Sequence, residues 1–140
     1  MGNRGSFRQG RSRSRVANLT FILDGGSGAA LTTGLKIWQE IPFPCSIEKI
    51  KVEADQSGSM VLNLYRLSEA ERIAGVTASS SYSICAQSQP TLTSVQRITD
   101  TTLSGWDTYL RAEDWLYVNI DSVSSISKAA VSLTLRRYFV

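Results

Sequence analysis

Hydrophobic and polar residues alternate most regularly over residues 50–67 of this 140-residue chain. A period of two is typical of a strand with one buried face, and the Asp, Ser and Gly of residues 55–58 are common turn residues. The pattern therefore predicts a β-hairpin with its turn at 55–58. Its apolar residues form one patch that another layer or subunit must cover, and they are Ile50, Val52, Ala54, Met60, Leu62 and Leu64.

The rest of the chain also has strand-like patterns and little sign of helix. Ile47 is out of phase with Ile50, which predicts a β-bulge near residues 48–49. Ser68 and Glu71 have the spacing of a capping box and predict one helical turn, which Gly75 ends. The other predicted strands cover residues 18–23, 35–41, 94–98, 101–103, 108–110, 116–121 and 131–135, with at most a short strand near 83–86.

About eight short strands with little helix indicate an all-β fold, and the spacing favours an antiparallel, jelly-roll-like β-sandwich. The positive charge lies apart from these strands. Residues 1–15 contain five arginines and no acidic residue, whereas the other residues carry ten basic against twelve acidic side chains. Because a Gly-, Ser- and Arg-rich segment cannot bury enough apolar surface to fold alone, we predict a flexible N-terminal arm over residues 1–17 and a sandwich domain over 18–140.

The arm supplies the candidate partner-binding residues, for which three interpretations are open. An arginine arm can contact the phosphates of nucleic acid, it can dock on an acidic protein surface with Phe7 as an anchor, or it can be a solvated tail. Docking on a protein is favoured, since short arms of assembly subunits often become ordered on a neighbour. The residues concerned are Arg4, Phe7, Arg8, Arg11, Arg13 and Arg15.

Residue composition argues against most catalytic sites. The chain has no histidine, which excludes Ser-His-Asp and Cys-His catalysis, and Cys45 and Cys85 cannot complete a common zinc site. We expect free thiols, although a disulfide between these cysteines is open. We expect no catalytic residue, metal or cofactor, and we interpret four carboxylates as solvated groups rather than a glycosidase pair or cation site, namely Asp107, Glu113, Asp114 and Asp121.

Aromatic residues are the second candidate site. Five aromatic side chains could form a stacking platform for a sugar ring, because flat apolar faces with polar tips suit saccharides, namely Trp38, Trp106, Tyr109, Trp115 and Tyr117. A carbohydrate-binding module would use three of them, Trp106, Tyr109 and Trp115. Core or interface positions are the favoured alternative. No apolar run reaches the roughly 18 residues of a membrane span, and the N-terminus lacks the apolar segment of a signal peptide, so neither membrane contact nor export is expected.

Four segments resemble, in the same order, a group of small β-sandwich virion proteins of tailed bacteriophages. They are TTGLKIWQEIPFP (32–44), EADQSGSMVLNLYR (53–66), DTTLSGWDTYLRAEDWLYVNIDS (100–122) and VSLTLRR (131–137). The resemblance covers about residues 19–137 and excludes the arm. This chain departs from that group at Glu113, where the group has Gly before the Asp that precedes its late strand, so any function of that corner does not carry over.

The resemblance implies a structural virion component without deciding between capsid, tail and fibre. The favoured expectation is a non-enzymatic capsid decoration or cement protein on the capsid surface. It would self-associate, with a trimer favoured, and its arm would dock on neighbouring major capsid protein subunits. One alternative is a carbohydrate- or receptor-binding module among tail proteins, and another is an internal protein whose arm contacts the genome.

Overall fold

The computed structural model describes residues 15–138, which form an all-β antiparallel fold as predicted. Within this range the chain forms seven strands, against about eight expected. A five-residue helix, α1 (Glu69–Ile73), and a short 3-10 helix (Ser80–Tyr82) lie between the third and fourth strands. The strands are β1 (Val16–Asp24), β2 (Gly34–Glu40), β3 (Cys45–Leu67), β4 (Thr91–Asp100), β5 (Tyr109–Leu110), β6 (Trp115–Ser124) and β7 (Lys128–Arg137).

All seven strands belong to one curled sheet in which the long strand β3 is central. The sheet order is β1–β7–β3–β6–β2, and β4 and β5 also pair with β3. Residues 45–54 of β3 pair with β7, whereas residues 59–67 pair with β6. Since successive parts of one strand pair with different neighbours, the sheet bends around β3. β1 and β2 lie at the two ends of this path, and β4 and β5 each pair with β3 alone.

The predicted hairpin over residues 50–67 is wrong, because β3 runs through the expected turn as one continuous strand. The polar side chains at 55–58 bind the loop between β6 and β7 instead of closing a turn of their own. The Asp55 carboxylate accepts hydrogen bonds from the Ser127 and Lys128 backbone N–H groups at 3.1 and 3.2 Å, and Gln56 Nε2 donates to the Ser125 carbonyl oxygen at 2.5 Å. The two halves of the segment thus pair with other strands and not with each other.

The alternation of apolar residues is nevertheless confirmed, because every residue predicted to form the buried patch is buried. The same holds for the alternating apolar positions of β6 and β7. The register of β3 against β7 shifts between Ile47 and Lys49, which confirms the predicted bulge. Residues 94–98 lie within the longer strand β4, and the expected short strand near 83–86 is replaced by the 3-10 helix and a single bridge between Tyr65 and Ser83.

The helical turn after β3 forms as its sequence predicts. The Ser68 side chain accepts a hydrogen bond from the Glu71 backbone N–H at 3.1 Å, and the Glu71 carboxylate accepts one from the Ser68 N–H at 2.8 Å. These two bonds form a capping box, and Gly75 follows the helix with a φ of 83°. Among residues 15–138, no helix is long and apolar enough to cross a membrane.

Candidate functional site

Most of the predicted arm residues lie outside the described part of the chain. These are Arg4, Phe7, Arg8, Arg11 and Arg13. Arg15 is described and exposed, and its carbonyl oxygen accepts a hydrogen bond from the Arg137 backbone N–H at 2.7 Å. The chain therefore enters β1 beside the C-terminal end of β7.

Further basic side chains surround this entry point. Arg136 pairs with Val16 in the sheet, and its Nε donates to Glu48 at 2.6 Å. This hydrogen bond raises the pKa of the Arg136 guanidinium. The Arg137 guanidinium lies 4.4 Å from the centre of the Phe43 ring, which is within cation–π distance. The base of the arm is thus joined to the sheet by backbone pairing with β7, beside these two arginine side chains.

The three predicted aromatic residues have different environments. Trp106 is buried in the core, with 9% of its surface exposed, and its Nε1 donates to the Ser88 carbonyl oxygen at 2.8 Å. Tyr109 is exposed and packs against Tyr138 with 5.8 Å between ring centroids. Trp115 is partly buried under the guanidinium of Arg72, which lies 4.5 Å from the ring centre. Because Trp106 fills the core, the three rings do not form one exposed platform.

A polar groove of about 500 Å³ lies beside Tyr109, between β5 and the start of α1. Arg66 organises one wall, since its guanidinium donates to Asp107 at 2.7 Å and to the Tyr109 carbonyl oxygen at 2.6 Å. The hydrogen bond from Arg66 holds the pKa of the Asp107 carboxyl below its ordinary value. The groove is lined by Arg66, Ser68, Glu71, Asp107, Tyr109, Arg111 and Asp114.

Two of the four carboxylates considered from the sequence, Asp107 and Asp114, line this groove. Asp114 is 5% exposed and accepts a hydrogen bond from the Arg111 backbone N–H at 2.9 Å, so it closes a turn. Asp121 instead accepts hydrogen bonds from Asn119 at 2.6 Å and Gln89 at 2.5 Å. Within the described residues, no three His, Cys, Asp or Glu side chains are placed to hold a metal ion.

Both cysteines are free thiols, as expected from the sequence, and both are buried. Burial, together with the nearby charge of Asp114, raises the pKa of Cys45 to about 11. Burial also raises the pKa of Cys85 to about 12. A thiol acts as a nucleophile through its thiolate, so neither cysteine is activated in this environment.

Another aromatic side chain considered from the sequence lies exposed on the edge strand β2. Trp38 exposes 51% of its surface, and its ring centroid lies 6.0 Å from that of Tyr117 on β6. The neighbouring residue Leu35 is also exposed, at 39%. The sequence carries one hint of this, since Trp38 alternates with the apolar positions of β2 and lies between Lys36 and Glu40.

Comparisons with known proteins give little further information. The sequence matches no protein-family model and no curated protein. A chain in the crystal structure of the Aeromonas sobria serine protease–chaperone complex is 10% identical, with a TM-score of 0.35 over 88% of this chain and 27% of that chain. A chain of the same serine protease, crystallised without the chaperone, is 10% identical, with a TM-score of 0.32 over 85% of this chain and 27% of that chain. This chain thus spans about a quarter of the length of each, and at these TM-scores neither similarity bears on its fold or function.

Proposed function

We propose that this chain is a non-enzymatic structural component of a tailed-phage virion that decorates or cements the capsid surface. One observation carries the proposal: residues of the segments shared with the small β-sandwich virion proteins occupy positions on which this fold depends. Surface loops vary among related proteins more than the elements they connect, so a resemblance at such positions supports a shared fold.

The DQSGS segment contains two such residues. Asp55 binds the backbone N–H groups of Ser127 and Lys128 and so joins β3 to the start of β7. Gly58 lies where β3 passes the end of β6, and a Cβ there would lie 2.6 Å from the Ser124 carbonyl oxygen. The aspartate and the glycine of this segment are therefore both required by contacts distant in sequence.

The LSGW segment contains another pair. Gly105 has a φ of 75°, a conformation that glycine adopts without strain. Trp106 follows and fills the core, while its indole N–H satisfies the carbonyl oxygen of Ser88. This pair joins the turn before β5 to the excursion between α1 and β4.

We also propose that the curled sheet is a jelly-roll-like sandwich. One layer would contain β1, β7 and the first half of β3, and the other would contain β2, β6 and the second half of β3. Support comes from the pairing of residues 45–54 and 59–67 with different strands, and from buried apolar faces on both sets. Two such faces packed together bury a core without metal or disulfide.

The proposed mechanism is adhesion to coat subunits. The arm carries five arginines, whereas the rest of the chain has two more acidic than basic residues. An arm of this charge can lie along an acidic surface of the major capsid protein, and several such arms in one homo-oligomer increase the overall affinity. A non-catalytic role agrees with the absence of histidine from the sequence and with the raised pKa of both thiols.

Co-sedimentation with capsids that lack this chain tests the proposal. The full chain should attach, and attachment should weaken as salt rises from about 50 to about 500 mM, because salt screens exposed charges. Deletion of residues 1–14 should abolish most attachment, whereas Arg97→Gln, which removes one exposed charge from β4, should not. Failure of the full chain to sediment with capsids at low salt would reject the decoration role, and unchanged attachment after the deletion would reject the role of the arm.

The same protein samples distinguish the two alternative functions, a tail module and an internal genome-contacting protein. A carbohydrate- or receptor-binding tail module would rely on Tyr109 and Trp115, since Trp106 is buried, and it should bind a glycan array in the isolated form. An internal genome-contacting protein should bind DNA with a salt dependence set by the number of arginines engaged. Its arm should also resist protease in intact particles.

A further inference from the structure

The outer face of β2 carries an apolar surface that no described part of the chain covers. Tyr117 lies between the buried residues Leu116 and Val118 of β6, so its side chain points away from the core. Trp38 pairs with Tyr117 and therefore lies on the same outer face. We call Leu35, Trp38 and Tyr117 the Trp38 surface. A half-exposed Trp beside a Tyr is typical of the centre of a protein interface.

Opposite charges flank Trp38 on β2. Lys36 is two residues before Trp38, at the register shift between Leu35 and Ile37, and Glu40 is two residues after it, roughly 7 Å along the strand. The Lys36 ammonium donates to the Thr32 hydroxyl at 2.9 Å. Among residues 15–138, neither Lys36 nor Glu40 takes part in an ion pair. Both charges are therefore available to a partner.

We propose that the Trp38 surface binds a second copy of this chain, with the two β2 strands antiparallel about a two-fold axis at Trp38. In this orientation Lys36 faces the partner's Glu40, and Glu40 faces the partner's Lys36. A parallel orientation would place like charges opposite each other, which is unfavourable. The order of these charges about Trp38 is thus self-complementary in one orientation only, as an isologous interface requires.

The contact is made by side chains and not by extension of the sheet. The register of β2 shifts between Leu35 and Ile37, and Pro42 follows the strand. A bulge, charged side chains and proline all hinder pairing of an edge strand with another chain. Packing of the two Trp38 surfaces, with the charges at their rim, avoids this hindrance.

The edge strand β1, at the opposite end of the sheet from β2, is a weaker candidate for self-association. The outer side chains of β1 are mainly polar, and two of them already form hydrogen bonds with β7. Thr20 donates to Ser132 at 3.4 Å, and Asn18 accepts from Thr134 at 3.2 Å. The exposed Ile22 has only the small side chain of Ala130 opposite it on β7.

This inference names the partner in the self-association that the proposed function includes, but it does not require attachment to a capsid. A two-fold contact closes a dimer, so it favours an even-numbered oligomer over the trimer expected from the sequence. Capsid co-sedimentation and self-association are separate measurements, so failure of one proposal is distinguishable from failure of the other.

Charge exchange tests the two-fold contact in the full chain. Sedimentation equilibrium of the unchanged protein should show a dimer at high concentration. The single variants K36E and E40K should each dimerise at least about ten-fold more weakly, because each places like charges in both rim contacts. An equimolar mixture of the two should form heterodimers, since one chain then presents two acids and the other two bases. The double variant K36E/E40K should dimerise like the unchanged protein.

Two further variants complete the experiment. Trp38→Ala should weaken the dimer about thirty-fold, as loss of an interface Trp commonly does. Glu53→Lys reverses an exposed charge on β3 and should leave the dimer unchanged. A monomer at every concentration, a trimer that is insensitive to K36E and E40K, or a mixture of these variants that fails to associate would each overturn the proposal.

Discussion

Replacement of Gly58 by alanine tests how closely β3 passes the end of β6. A Cβ at residue 58 would lie 2.6 Å from the Ser124 carbonyl oxygen and 2.7 Å from Ile126 Cγ1. The carbonyl oxygen belongs to the backbone and cannot rotate away, and the Ile126 side chain is only 1% exposed. The added methyl group must therefore displace either β3 or the backbone at Ser124.

The expected loss of stability follows from this geometry. Inserting a methyl group into a well-packed region costs about 1–3 kcal/mol, and a contact with backbone places Gly58→Ala at about 2–3 kcal/mol. For a chain of this size, 1 kcal/mol corresponds to roughly 3 °C in Tm. We therefore expect Gly58→Ala to lower the Tm by about 6–9 °C, measured by circular dichroism during heating.

The neighbouring variant Ser57→Ala provides a matched control. Ser57 is exposed, so its replacement should change the free energy of unfolding by less than about 0.5 kcal/mol. Urea unfolding of both variants should give similar m values, which would show that the compactness of the native state is preserved. A Tm for Gly58→Ala that equals that of Ser57→Ala would refute the close approach of β3 to Ser124.

Three further predictions concern side chains of the core and the groove. Trp106→Phe should lower the free energy of unfolding by about 1–3 kcal/mol in urea, because the partly buried Ser88 carbonyl oxygen loses its donor. Cys45 and Cys85 should not react with a thiol reagent at pH 8 until the protein unfolds, given their raised pKa values. Asp107→Asn should destabilise the protein by less than about 1 kcal/mol at neutral pH. The folded-state pKa of Asp107 is lowered, so this difference should disappear as the pH falls below the ordinary value of 3.8.

Each of these three predictions has its own control or contrary outcome. Trp115→Phe should cost less than Trp106→Phe, since the Trp115 Nε1 is buried without a hydrogen-bond acceptor among the described residues. Equal costs would show that the indole hydrogen bond is not the cause. Rapid labelling of the native protein would contradict burial of the thiols. A stability difference for Asp107→Asn that persists unchanged at acid pH would exclude its ion pair with Arg66.

Much of the secondary structure was predictable. A strand with one buried face must alternate apolar and polar residues, whichever strands lie beside it. Residues 116–121 and 131–135 alternate strictly and are strands, and Ser68 with Glu71 forms the expected capping box. The hairpin prediction failed because local residue type does not reveal which distant segment a strand pairs with. Asp, Ser and Gly at 55–58 suit a local turn, but the partners of Asp55 are more than 70 residues away.

The candidate sites were less predictable than the strands. Trp106 and Trp38 are the same residue type, and each lies near polar residues in the sequence. Only the packing of distant segments buries Trp106 against Ser88 and leaves Trp38 half-exposed beside Tyr117. Side-chain exposure depends on which elements lie on top of a residue, and that information is not local.

The sequence by itself determined the all-β class, the alternating core positions, the arginine-rich N-terminus and the absence of histidine. Each depends on residue type and short-range spacing. The tertiary structure alone decided that β3 is one bent strand and that the two thiols are buried. It also decided that Trp38 lies on an exposed edge strand between two opposite charges. Those features depend on which strands pair, and strand pairing is set by hydrogen bonds and packing between residues far apart in the chain.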